Sequence, residues 1–247
     1  MQVKDDALTL RTQLKCSNHS ELGFSLIEVV LAIFILGIIA AVSSVTYLGL
    51  WRDVGGKTGI DSRLVSLSGS VITYVKTNHR LPCPDQNGAG YETLKADGTC
   101  IDNLEVGWLP YVSLGLSPPA ASQRAYYGVH RNTMTIPSAD LTASADLNTL
   151  SAAAQAPRSS SFVYVTGDGS TTNGAEDCAA TVLNNPAFVI LLAGEDRNGD
   201  GSNLDGVNVG LATSSRCFSA PSRGIDARFD DRSLAVSFYA VMAELNK

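Results

Sequence analysis

A carboxylate inside an apolar run is the first group in this chain that could do chemistry. Glu28 follows Gly23-Phe24-Ser25-Leu26-Ile27 and precedes a stretch to Trp51 with almost no polar side chain. As a helix, 24–51 would be about 42 Å long, against a hydrocarbon core of about 30 Å. An ionised side chain at mid-membrane costs roughly 2.5–3.5 kcal/mol, so an acid placed there needs a partner. Far along the chain, Asp196-Arg197-Asn198-Gly199-Asp200-Gly201 has the alternating-oxygen spacing of a calcium loop, with glycine permitting the tight turn. The bidentate acid expected at the twelfth position is replaced by Val207, and Asn203 and Asp205 could substitute only by another geometry. The candidate ligands are therefore Asp196, Asn198, Asp200 and Asp205, and calcium is the one cofactor these residues suggest. The competing reading is a hydrophilic turn after a strand. Asp85 and Asn87 fit a plain turn better than a ligand set.

Other chemistries lack residues. Gly55-Gly56-Lys57-Thr58 ends like a phosphate loop, but the first glycine of the eight-residue pattern is missing and a helix, not a strand, precedes it. His79 and His130 read as surface or helix-end residues. With no nucleophile elbow and no His-Glu-x-x-His, no catalytic residue is assigned and the chain reads as a non-enzyme. Trp108 and Tyr111 read as anchors of a loop region in the core. The net charge of −6 and the absence of a basic stripe argue against nucleic acid as a partner.

Cys16 precedes the apolar run, and Cys83, Cys100, Cys178 and Cys217 follow it. An even set beyond a membrane-directed segment reads as two disulfides. Three pairings are open. Cys83–Cys100 with Cys178–Cys217 is favoured because each bond closes a loop within one half of the domain. No Cys-x-x-Cys occurs, which weakens zinc and redox-motif readings.

The elements that must position these groups are read from periodicity. Ile60, Leu64, Leu67, Val71 and Tyr74 recur every three or four residues, which predicts an amphipathic helix over 52–80. Gly55, Gly56 and Gly59 should loosen its start, and Pro82 should stop it near His79-Arg80. Residues 80–92 carry turn chemistry. Residues 138–161 contain Ser-Ala-Asp-Leu twice and predict a short amphipathic helix or a mobile insertion. Residues 162–165 and 187–192 read as strands. The segment 234–245 reads as a strand that turns helical.

The words Gly23-Phe24-Ser25-Leu26-Ile27-Glu28, followed by the apolar run, resemble the prepilin signature of type IV pilins and type II secretion pseudopilins. The resemblance implies cleavage between Gly23 and Phe24 by prepilin peptidase and N-methylation of Phe24. It also implies that Glu28 pairs with the Phe24 amine of a neighbouring subunit during assembly. The implied fold class is α+β and pilin-like: a long N-terminal helix, transmembrane then amphipathic, packed on an antiparallel sheet domain with large loops. The implied organisation is a leader over 1–23, a transmembrane and assembly helix over 24–51, its amphipathic continuation over 52–80, and a globular domain over 81–247. Implied partners are other pilins or pseudopilins in a helical fibre and the inner membrane, with the globular domain periplasmic before assembly. The positive-inside rule is nearly balanced here, because Lys4, Arg11 and Lys15 face Arg52, Lys57 and Arg63 across the run.

A second, shorter resemblance covers roughly 80–130, through Leu81-Pro82-Cys83-Pro84-Asp85, Gly107-Trp108-Leu109-Pro110 and Leu114-Gly115-Leu116, and points to a minor or atypical pilin. Asp230-Asp231 resembles the acidic pair before the last strand of many pseudopilins, some of which hold calcium in a late acidic loop. Two alternatives stand beside this. The apolar run could be a secretory signal cut after Ser43, although it is longer than the 7–15 residues usual for such a segment. The chain could also be a membrane-anchored or secreted calcium-dependent binding module that does not polymerise.

Overall fold

The computed structural model describes residues 27, 30, 31, 33–35, 59–132, 139–166, 178, 182–197, 199–213 and 215–247. The expectations for the leader, Gly23, Phe24, Glu28, most of 24–51 and Asn198 fall outside these residues. The chain divides into two units, Met1–Asp53 and Val54–Lys247. In the first, Ile27, Val30, Leu31, Ile33, Phe34 and Ile35 are helical and exposed. Among the described residues no helix is long and apolar enough to cross a membrane.

The second unit opens with helix α1, residues 59–78. Its buried stripe is Leu64, Leu67, Val71 and Val75, with Ile60 and Ile72 partly covered. Val75 continues the stripe. Tyr74, expected in it, lies half-buried at the edge, where its hydroxyl donates to Glu92 Oε2 at 2.7 Å. The helix stops as Pro82 requires. His79 takes a positive φ of 54° and its N–H donates to Val75 O, closing the last turn.

Among the described residues nine short strands follow, interleaved with two α-helices. They are β1 (Val106–Trp108), β2 (Tyr126–Val129), β3 (Arg131–Asn132), β4 (Ala139–Asp140), α2 (Leu147–Gln155), β5 (Tyr164–Thr166), β6 (Val182–Asn184), β7 (Phe188–Leu192), β8 (Cys217–Phe218), β9 (Arg232–Val236) and α3 (Phe238–Leu245). The main sheet has the order β1-β2-β7-β9 and is antiparallel throughout. A smaller sheet, β6-β5-β8, contains one parallel pair, β5 with β8. The result is a mixed helix and antiparallel-sheet domain.

Strand β7 explains why 187–192 is an unbroken apolar run rather than an alternating one. Phe188, Ile190 and Leu192 point into the core shared with α1, α2 and α3, while Val189 and Leu191 point into a second core with Val163, Val165 and Phe218. A strand covered on both faces has no polar side to show. Gly128 sits opposite Val189 on β2, where a Cβ would collide with the Phe218 ring, so the second core closes only over a glycine.

The chain turns from β9 into α3 at Ser237, whose hydroxyl accepts from the Ala240 N–H at 3.2 Å. Asp146 caps α2 in the same way, accepting from Thr149 N at 2.7 Å. These caps satisfy N–H groups that the first helical turn leaves unpaired.

Candidate functional site

The calcium-loop pattern folds into a turn closed upon itself. Asp196 Oδ1 accepts from the N–H groups of Gly199 and Asp200 at 2.8 and 3.1 Å, and its Oδ2 accepts from Gly201 N at 2.9 Å. Gly199 and Gly201 have φ of 73° and 85°, which accounts for glycine at both positions. Asp196 and Asp200 are exposed, and Asp200 accepts from Ser202 N.

Asp205 goes elsewhere. It is fully buried and converges with Asp230 and Asp231, one ligand oxygen of each lying within 4.8 Å of the others. Asp196 and Asp200 are not part of this group. Two loops, 193–205 and 226–231, are stapled through it. Asp231 accepts from Gly194 N, Asp205 N and Asn208 Nδ2 at 3.0, 2.9 and 2.8 Å. Asp230 accepts from Glu195 N and, at 2.7 Å, from Arg197 Nε. Asp205 Oδ2 accepts from Asp230 N at 3.1 Å, whereas Asp205 Oδ1 has no partner among the described residues. A Cβ on Gly194 would overlap the Asp230 carboxylate, so the two loops approach this closely only because residue 194 has no side chain.

Burial pushes the Asp231 carboxyl up to about 6, against the hydrogen bonds from Asp205, Asn208 and Gly194 that pull it down. Asp205 is also raised, by burial and then by the neighbouring Asp230 charge. Carboxylates this close and this buried do not all ionise unless a proton or a cation offsets them. Arg197 supplies one such cation to Asp230, and Asp205 Oδ1 is the carboxylate oxygen of the group that a hard divalent ion such as calcium could still take. The sequence placed Asp230-Asp231 before the last strand but held no signal joining that pair to Asp205.

The other groups are now placed. Cys83 is bonded to Cys100 and Cys178 to Cys217, the local pairing. The first bond ties down the loop after α1, which Asp85 and Glu92 also organise. Asp85, almost wholly buried, accepts from the N–H groups of Asn87, Gly88 and Gly90, so it is a turn builder. The second bond anchors β8, and Tyr164 donates its hydroxyl to Cys178 O at 2.7 Å. Tyr111 is buried and its hydroxyl accepts from Ala125 N at 3.0 Å, whereas Trp108 is half-buried against Tyr126.

His79 is an exposed helix-end residue, but His130 is not at the surface. It is 1% exposed, with the Phe162 and Phe238 rings at 4.9 and 5.0 Å from its own. Neither ring nitrogen has a partner among the described residues, and burial pushes its pKa down to about 4. It is a neutral aromatic filler at the end of β2. The sequence around it, Val129-His130-Arg131-Asn132, reads as polar from its residue types, yet Arg131 is itself buried and paired with Asp140.

No curated protein and no solved structure matches the chain. The family model described as the prokaryotic N-terminal methylation motif matches residues 18–44, which include Gly23, Phe24, Glu28 and most of the apolar run. With two disulfides in the domain beyond it, residues 18–44 carry the N-terminal methylation motif that is the signature of type IV pilins and pseudopilins.

Proposed function

We propose that this chain is a structural subunit, a minor pilin or pseudopilin, assembled into a type IV pilus or a type II secretion pseudopilus. The match of residues 18–44 to the methylation motif carries the reading. Prepilin peptidase cuts between Gly23 and Phe24. The new Phe24 amine of one subunit then neutralises Glu28 of the next where water is scarce. The precursor sits in the inner membrane with its domain in the periplasm, an oxidising compartment that suits two disulfides. Its work is assembly and not turnover, so no catalytic residue is assigned, and no nucleic acid partner is needed.

The test is co-expression with an assembly machinery and recovery of sheared fibres. Wild type enters the fibre fraction. Glu28→Ala stays in the membrane, and equal incorporation of the two would overturn the reading.

A calcium-dependent binding module that never polymerises is favoured by a separate observation, the unpartnered Asp205 Oδ1 beside Asp230 and Asp231. On that reading calcium raises the melting temperature of EDTA-treated protein, Asp205→Asn abolishes the rise, and no fibre forms. A calcium-dependent rise together with fibre entry would keep the ion and discard the module.

A further inference from the structure

Beside the acidic group, at the outer edge of the main sheet, lies a cavity of about 150 Å³. Its working residues are Trp108, Ser122, Arg124, Tyr126, Ser202 and Asn203, and alanine and leucine side chains complete the wall. A cavity of about this size admits one six-membered ring. Trp108 and Tyr126 face each other across β1 and β2 in direct register, with ring centroids 4.2 Å apart and planes tilted by 36°. The register fixes this aromatic wall before any ligand arrives.

The polar side of the cavity is under-used. Arg124 donates through Nη1 to Gly88 O, which leaves its buried Nε–H with no acceptor among the described residues. An unpaired buried donor costs roughly 1–3 kcal/mol. Ser122 and Asn203 are exposed at the rim, so their polar groups are open to solvent, while Ser202 Oγ accepts from Leu204 N. Polar groups and an aromatic surface thus line one cavity.

We propose that this cavity binds a single neutral sugar ring, its C–H face on Trp108 and its hydroxyls on Arg124 Nε, Ser122 and Asn203. A flat aromatic side chain from a peptide would fill the same space but leave the buried Arg124 Nε–H unpaired. The site goes beyond a role in fibre assembly and does not depend on it. It would give the domain a glycan contact whether the chain polymerises or stays single.

Saturation-transfer NMR on the full chain in detergent micelles tests this, with glucose, galactose, mannose and N-acetylglucosamine as probes at millimolar concentration, the range expected for a single ring. Transfer to the ring protons of at least one sugar is expected. Asn203→Ala should weaken it several-fold, and Trp108→Ala should abolish it. Because Trp108 lies in a strand, Ser122→Trp, at an exposed rim position, serves as a second variant that fills the cavity with the fold intact; it should also abolish transfer. No transfer to any of the four sugars overturns the proposal. So does transfer unchanged in Ser122→Trp, or transfer to N-acetyltyrosinamide but to no sugar.

Discussion

Glu92 carries more of the fold than its place in a turn-rich loop suggests. Its Oε1 accepts from Arg80 Nη1 and from Cys83 N, both at 2.6 Å, and its Oε2 accepts from Arg80 Nη2 and the Tyr74 hydroxyl. The carboxylate side chain is 8% exposed, so removing it strands a partly buried guanidinium. Glu92→Ala should therefore cost about 3–5 kcal/mol in urea unfolding, unlike the 0–1 kcal/mol of a surface pair. His130 and Asp231 set a second expectation, in pH. His130 binds its proton more weakly folded than unfolded, so its contribution is intact above about 6.5 and lost as the pH falls towards 4. Asp231 is the reverse. Its folded pKa lies above its ordinary value, so its contribution is present in acid and lost as the pH rises through about 6. Between pH 6 and 4 the two offset. In EDTA, His130→Phe should gain stability on acidification over that window and Asp231→Asn should lose it, each by up to about 3 kcal/mol. Parallel curves for the two variants would contradict the assignment. None of this was readable from residue types, because a histidine and an aspartate look solvent-bound until non-local packing covers them.

The helices and the central strand were the readable elements, since their signals are periodic and local. The α1 stripe gave Leu64, Leu67 and Val71 at the right spacing, and the same spacing makes a test. Leu67→Ala removes a side chain 6% exposed and should cost about 2–5 kcal/mol, while Val65→Ala, 64% exposed, should stay within about 0.5 kcal/mol. The doubled Ser-Ala-Asp-Leu marks the limit of local reading. In the first copy Ala139 and Asp140 form β4, and Asp140 accepts from Arg131 and Thr142. In the second, Asp146 caps α2. The same four residues serve a strand and a helix start because Arg131 waits opposite only one of them. The Asp196–Gly201 pattern failed to gather Asp205 for a related reason: its own N–H groups satisfy Asp196 before any outside ligand is needed. The parallel β5–β8 pairing and the grouping of Asp205 with Asp230 and Asp231 join segments far apart in sequence, and periodicity carries no information about such meetings.

For the molecule as a whole, the structure of 59–247 and the chemistry of 18–44 answer different questions. The domain supplies two disulfides, a buried acidic group and a small aromatic cavity, all of them compatible with a subunit that presents a surface. The N-terminal segment decides whether that surface rides on a fibre, because an acid among apolar residues is tolerable when an amine from a like chain meets it. Intact-mass and N-terminal analysis of the protein from cells holding prepilin peptidase, alongside Gly23→Leu, separates the outcomes. The account predicts wild-type protein that begins at a methylated Phe24, and a Gly23→Leu protein that keeps its first 23 residues. A wild-type chain beginning at Ser44, or one retaining Met1–Gly23 with Phe24 unmodified, would contradict it.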